Sequence, residues 1–148
     1  MNKQLELFES IFDNTPNLAI LHLDNDLKMV QPIVKDLAQR NEGILSYYDF
    51  KDKGGCDKFP SKSRDYEYAV LSDVLQHCPY PDKMLKLIYR SLENSAFIIV
   101  LCDKKDIEVQ EIIDLLDQCN FLAVNDIDLF EKYHLVVAKK MHMWDAGL

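Results

Sequence analysis

The chain has 148 residues, of which 48% are hydrophobic and 28% charged, and its formal net charge is −8. A chain of this length can bury about 70% of the surface that it exposes when unfolded, so it can form a core without disulfides or metal. The negative charge argues against a protein that binds nucleic-acid phosphates, because those contacts need Lys and Arg. The composition predicts one globular domain over residues 1–148.

Several features of the sequence bear on location and on metals. The first ten residues lack the apolar centre of a signal peptide, and no stretch reaches the roughly 20 apolar residues of a membrane span. Without a CxxC pair, the cysteines predict reduced, mostly packed thiols in a cytoplasmic protein. The histidines are scattered, so no metal site is expected. These residues are Cys56, Cys78, Cys102 and Cys119, with His22, His77, His134 and His142.

Helical and strand-like patterns alternate in the first half of the chain. Apolar residues at helical spacing predict a first helix around residues 5–12, and the apolar run 18–24 predicts a buried strand that ends on Asp24. A second helix should begin near Gln31, because Pro32 is tolerated in a first turn. A second strand over residues 44–50 ends near Asp49. Residues 51–64 lack periodicity and predict a solvated loop or a lid.

The second half continues the alternation and then changes. A third strand is predicted over residues 66–75, followed by a helix for which Asp82 is the expected cap, and the fourth strand is the apolar run 96–102. Asp106 is the expected cap of the next helix, and Glu108 and Glu111 suit its positive end. The runs 121–130 and 133–143 leave no room for a crossover helix. They should therefore pair antiparallel at an edge of the sheet.

These elements predict a three-layer α/β fold, with a mostly parallel, Rossmann-like sheet, helices on both faces and a C-terminal antiparallel hairpin. Over about residues 18–140, the order of motifs resembles the class I S-adenosylmethionine-dependent methyltransferases. YEYAVLSDVLQH, PYPD and YRSLENSAFIIV are similar to the family's fourth strand, next helix and fifth strand. LLDQCNF followed by LAVNDIDLFEKYHLVVAKK is similar to its last helix and closing hairpin.

The glycine-rich loop that holds the cofactor in that family has no counterpart here. In the family, glycines after the first strand let the backbone approach the cofactor closely. No glycine of this chain follows a strand in a GxGxG arrangement, and the family's PGG before the fifth strand is replaced by residues 94–96, Asn-Ser-Ala. The resemblance therefore implies a methyltransferase-like domain with no bound cofactor, or S-adenosylmethionine if the domain is active.

Two strand numberings are compatible with the resemblance. If strand 18–24 is the family's second strand, the family's first strand is absent. Asp24 then takes the position of the acid that binds the cofactor ribose, and Asp49 lies near the cofactor adenine. If strand 18–24 is the first strand, DNDL replaces the glycine loop, Asp49 is the ribose acid and an edge unit is absent. Spacing favours the first numbering, and the cost of losing a central strand favours the second. Asp24, Asp49 and the adjacent Phe50 are the cofactor-binding candidates, although strand-ending acids more often cap helices or face water.

Asp73 and His77 are the catalytic candidates, because open α/β sheets bind ligands outside the carboxyl ends of their strands. His77 could act as a base that Asp73 orients, and the alternative is a capping or solvent-facing pair. Ser72 with His77 suggests a hydrolase, but the chain has no GxSxG motif.

The preferred hypothesis is a methyltransferase-like domain that has lost cofactor binding and acts as a non-catalytic binding, regulatory or oligomerisation module. An active S-adenosylmethionine-dependent methyltransferase with a divergent pocket is the alternative. A receiver-like signalling domain is third, since acids follow several strands but receivers end on a helix. Apolar residues at the C-terminus, including Trp144, predict a homodimer or another protein partner, and neither nucleic acid nor membrane is expected as a partner.

Overall fold

The computed structural model describes residues 3–50 and 65–140. Within these ranges, six strands form one sheet in the order β2-β1-β3-β4-β6-β5. The elements are α1 (Lys3–Glu9), β1 (Ala19–Asp24), α2 (Gln31–Arg40), β2 (Ile44–Asp49), β3 (Tyr66–Ser72), a 3-10 turn (Leu75–His77), α3 (Pro81–Ser91), β4 (Leu92–Asp103), α4 (Val109–Gln118), β5 (Phe121–Ile127) and β6 (Tyr133–Lys140). No described helix is both long and apolar enough to cross a bilayer.

The pairing confirms the predicted fold class. Strands β2, β1, β3 and β4 are parallel neighbours, and β6 lies antiparallel between β4 and β5. A receiver's sheet, by contrast, is wholly parallel. The antiparallel hairpin at the edge was predicted from the absence of a crossover helix, and the structure confirms it.

Helices cover both faces of the sheet, and the inner parallel strands β1, β3 and β4 are buried along most of their length. On one face, α1 and α2 pack with Phe8, Val34 and Leu37 against Ile20 and Val70 of the strands. On the other face, apolar side chains of α3 and α4 pack against β1, β3 and β4. The members of this second cluster include Leu21, Leu71, Met84, Ile88, Ile112 and Leu116.

Three helix boundaries differ from those predicted. Helix α1 ends at Glu9, and the chain continues in a tighter turn in which the Ser10 hydroxyl donates to the Leu7 carbonyl at 2.6 Å. Helix α3 begins at Pro81 with Tyr80 as its N-cap, so Asp82 lies in the first turn and is not the cap.

Helix α4 begins at Val109 with Glu108 at the N-cap, so Asp106 is not its cap either. Glu108 is extended there, with φ −83° and ψ 146°, and it makes no side-chain capping bond. Asp106 belongs to the turn after β4, where its carboxylate faces His77.

The cysteines follow the prediction in part. Cys102 and Cys119 are buried free thiols, and burial raises the pKa of Cys102 to about 12. Cys78 is buried but disulfide-bonded, so the expectation that it is reduced is wrong. Cys56, the loop prediction for residues 51–64 and the apolar C-terminal residues fall outside the described residues.

The turn that leads into β2 requires a glycine. Ile44 donates its backbone N–H to the Leu18 carbonyl at 2.9 Å, which holds this turn against the start of β1. A Cβ on Gly43 would lie 1.8 Å from the same carbonyl oxygen. Glycine is therefore the residue that allows the two backbones to approach at this point.

We expect Gly43→Ala to lower the free energy of unfolding by about 2 kcal/mol or more, because β2 must move away from β1 to accommodate a methyl group. Urea unfolding followed by circular dichroism measures the change. Gln39→Ala, at an exposed position of α2, is the control and should change stability by less than about 0.5 kcal/mol. A Gly43→Ala variant as stable as the control would contradict the close approach.

Candidate functional site at the carboxyl ends of β1 and β3

The direction in which strands are added reverses between β1 and β3. Strand β2 lies on one side of β1 and β3 on the other, both parallel to β1. Open α/β sheets bind ligands at such a reversal, outside the carboxyl ends of the strands. Asp24 is paired with Asp49 of β2 and with Ser72 of β3, so three of the polar residues discussed above meet at this edge.

The pairing is the same in both strand numberings. No strand separates β1 from β3, because Ile20 to Asp24 pair directly with Tyr68 to Ser72. A sheet that lacks the family's first strand and a sheet that lacks an edge unit both have this strand order among the described residues. Asp24 and Asp49 therefore both stay predicted candidates for the ribose acid.

Asp24 is fully buried, and three donors hold its carboxylate. Oδ1 accepts a hydrogen bond from the backbone N–H of Leu27 at 3.0 Å. Oδ2 accepts from Gln31 Nε2 at 2.6 Å and from the Tyr47 hydroxyl at 2.7 Å. Burial and the bond to Asp24 raise the pKa of Tyr47, so its hydroxyl remains a donor. The carboxylate therefore ties together the turn after β1, the start of α2 and the middle of β2.

His22 forms a second sealed contact on the same face of the sheet. Its Nε2 lies 2.7 Å from Ser72 Oγ and 4.0 Å from Asp24 Oδ1, and its ring packs edge-on against Tyr47. Burial lowers the pKa of His22 to about 4, against the opposing effect of the Asp24 charge, so the ring is neutral at pH 7. Ser72 is thus paired with His22, not with His77 as a hydrolase would need.

The turn after β1 folds back onto the end of β3. Asn25 donates its backbone N–H to the Ser72 carbonyl at 2.9 Å and its side-chain Nδ2 to the Asp73 carbonyl at 3.2 Å. Leu27 and Val30, later in the same turn, are buried in the apolar cluster under α1 and α2. Side chains therefore fill a turn that, in cofactor-binding sheets, glycines leave open.

The predicted catalytic pair lies beside this sealed group and faces solvent. Asp73 Oδ1 accepts hydrogen bonds from the backbone N–H of Asp103 at 3.2 Å and from Gln76 Nε2. Asp73 Oδ2 is 3.9 Å from His77 Nε2, which is too long for a hydrogen bond. On its other side, His77 Nε2 lies 3.8 Å from Asp106 Oδ2. The structure thus brings Asp73 and His77 together and adds a second carboxylate.

Asp49 and Phe50 occupy different surroundings. Asp49 is half-buried at the end of β2. Phe50 is 8% exposed and belongs to the apolar cluster under α3 and α4. Phe50 is therefore packed in the cluster on the face opposite α2, away from the Asp24 carboxylate.

A separate cleft lies at the opposite end of the strands, where β3 and β4 begin. It has a volume of about 200 Å³ and is lined by the starts of β3 and β4 together with Asp13 and Thr15. Glu93 contributes a carboxylate whose pKa is raised by burial and by Glu67 and Asp65 nearby. Most of its lining residues belong to the starts of β3 and β4, and none of the residues that contact Asp24 or Asp73 lines this cleft.

Comparison with known proteins decides the fold. No protein-family model matches the chain, and no curated protein does. Among solved structures, an S-adenosylmethionine-dependent methyltransferase from Aquifex aeolicus matches with a TM-score of 0.75 at 11% identity, over 93% of this chain and 89% of that one. The chain has the methyltransferase fold.

Two further structures show the same methyltransferase fold. A Burkholderia thailandensis 1,6-didemethyltoxoflavin-N1-methyltransferase, solved with S-adenosylhomocysteine, has a TM-score of 0.68 at 10% identity over 94% of this chain and 79% of that chain. A methyltransferase of Haloferax volcanii, solved in complex with the Trm112 methyltransferase activator, has a TM-score of 0.65 at 10% identity over 94% and 89%. The resemblance inferred from motif order is confirmed at the level of fold.

Several residues of the site were not singled out from the sequence. Gln31 and Tyr47, which hold Asp24, were noted only as members of a helix and a strand. The sequence does indicate that His22 and Asp24 lie together, because they are two residues apart and so share one face of a strand. Tyr47 could join them only once the β1–β2 register was known, since it pairs with His22. The sequence predicts Asp106 as a helix cap, and nothing in the sequence distinguishes Gln76 as a site residue.

Proposed function

We propose that this chain is a methyltransferase-like module that does not bind S-adenosylmethionine and acts by binding protein. The observation that carries the proposal is the state of Asp24. In a sheet of this topology, an acid at the end of the strand where the strand order reverses lies where the ligand crevice opens. Here that carboxylate is sealed and bonded to Leu27, Gln31 and Tyr47.

The turn after β1 supports the same conclusion. A nucleoside cofactor needs backbone N–H groups and open space at this turn. The Asn25 N–H is already bonded to the Ser72 carbonyl, and Leu27 and Val30 occupy the space beneath the turn. Opening the crevice would break the Asn25 bond and expose two apolar side chains. The residues present therefore do not fit the cofactor.

The binding role rests on the edge of the sheet at β2. Among the described residues, β2 pairs with β1 alone. Ile44 is 65% exposed on this strand, and Tyr47 is 45% exposed. An edge strand with apolar side chains is a place where a second chain can add a strand. A homodimer through this edge, or another protein partner as in the Haloferax volcanii complex, is the proposed mode of action.

Isothermal titration with S-adenosylmethionine and S-adenosylhomocysteine tests the proposal. We expect no saturable binding by the folded chain up to about 1 mM of either compound, because the sealed carboxylate and the filled turn leave no site. Sedimentation equilibrium of the same sample measures the molecular mass and shows whether the chain forms the proposed homodimer.

Micromolar binding of either compound would overturn the proposal and favour the active alternative. In that case replacing the ribose acid, by Asp24→Asn or Asp49→Asn, should abolish binding. Asp114→Asn is the matched control, because Asp114 is an exposed acid on α4, outside the β1 turn, and should leave binding unchanged.

A further inference from the structure

Three potential metal ligands meet in the open part of the site. One ligand atom each from Asp73, His77 and Asp106 lies within 4.8 Å of the other two. They come from the turn after β3, the 3-10 turn and the turn after β4, and the side chains of His77 and Asp106 are 42% and 40% exposed. A cation at the centre of this triangle lies about 2.5 Å from each atom, close to the roughly 2.0–2.6 Å of metal–nitrogen and metal–oxygen bonds.

We propose that Asp73, His77 and Asp106 bind a first-row divalent cation, of which Mn²⁺ and Zn²⁺ are the best matches. One imidazole nitrogen with two carboxylates suits these ions, whereas Mg²⁺ and Ca²⁺ prefer oxygen alone. The exposed side of the cluster leaves coordination positions for water or for a ligand. The site is independent of the proposed loss of cofactor binding.

A half-buried glutamine beside the cluster is a second observation that points to a cation. Gln76 turns its Nε2 toward Asp73, to whose Oδ1 it donates, and toward Asp106 Oδ2 at 3.4 Å. That orientation leaves Gln76 Oε1 buried with no partner among the described residues. An unpaired buried oxygen is costly. A half-turn of the amide would bring Oε1 to the side of Asp73 and Asp106, where it could serve as a further oxygen ligand of a cation.

The negative charge of the cluster reaches its neighbours. Burial and then the Asp73 charge raise the pKa of the Cys102 thiol to about 12. Burial raises the pKa of Tyr133 as well, and Asp73, Asp103 and Asp106 add to that rise. A divalent cation between the carboxylates would offset this negative potential.

Metal titration of the full chain, dialysed against EDTA and free of any affinity tag, tests the site. Mn²⁺ binding followed by electron paramagnetic resonance and Zn²⁺ binding followed by calorimetry should both be saturable. Asp106→Asn and His77→Gln should each weaken binding by about tenfold or more. Gln76→Ala should weaken it less.

Asp114→Asn is the matched control, because Asp114 is an exposed acid on α4 outside the cluster. It should bind each ion within about twofold of the unmodified chain. Circular dichroism verifies that every variant is folded, which the exposure of His77 and Asp106 favours. Absence of saturable binding of both ions below about 1 mM, or equal affinity in the cluster variants and the control, would overturn the proposal.

Discussion

Asp24→Ala is expected to lower the free energy of unfolding by about 3 kcal/mol or more. The substitution removes the acceptor of three hydrogen bonds at once. The Leu27 N–H is then left unpaired in a buried position, and Gln31 and Tyr47 lose the group that ties α2 and β2 to the turn. Urea unfolding followed by circular dichroism measures the loss.

Two variants give this measurement its controls. Asp24→Asn keeps one acceptor oxygen in the same place but loses the charge, so its stability should lie between those of the unmodified chain and Asp24→Ala. Asp26→Asn changes an exposed acid two residues further along the same turn and should be neutral within about 0.5 kcal/mol. An Asp24→Ala variant that stays fully stable would show that the acid does not hold the turn, and would favour a ligand-binding role for it.

The stability of the chain should fall with pH between about 6.5 and 4 because of His22. Its pKa in the folded chain is about 4, whereas an unfolded chain has the ordinary value of 6.5. Between these values the unfolded chain binds a proton that the folded chain does not, so the free energy of unfolding decreases as the pH falls. The full difference corresponds to about 3 kcal/mol and is reached below pH 4.

A variant that cannot titrate isolates this effect from the acids of the chain. His22→Gln keeps a polar group that can reach Ser72 Oγ, and its side chain stays neutral at every pH. Denaturant unfolding at pH 7.5, 6.5, 5.5, 4.5 and 3.5, chosen to bracket the two pKa values, gives the two profiles. The stability difference between the unmodified chain and His22→Gln should shrink as the pH falls. Parallel profiles would show that His22 is not buried in its neutral form.

The fold could be predicted because its signals are local. The run that became β1 places Leu21 and Leu23 on one face and Ile20 on the other, which suits a strand covered by helices on two sides. The link between β5 and β6 is too short for a crossover helix, so the hairpin was the available geometry. The predictions that Asp82 and Asp106 cap helices are wrong, and the reasons are also local. Pro81 occupies the first position of α3, and an extended Glu108 is the N-cap of α4.

The site could be predicted only in position. A parallel sheet brings the carboxyl ends of its strands to one edge, and that rule placed Asp24, Asp49 and Asp73 there. It said nothing about which partner each acid has. Asp24 has two possible strand positions in the family, and the direct β1–β3 pairing is compatible with both of them.

The sequence alone determined the alternation of elements, the methyltransferase-like order of strands and the absence of a glycine loop after β1. These features depend on residues near one another in the chain. Tertiary structure alone decided that Asp24 is sealed by Gln31 and Tyr47, that Ser72 pairs with His22, and that Asp106 completes a cluster with Asp73 and His77. Each of these contacts joins segments that pairing and packing bring together, and a hydrogen bond or a ligand set depends on distances that spacing along the chain does not contain.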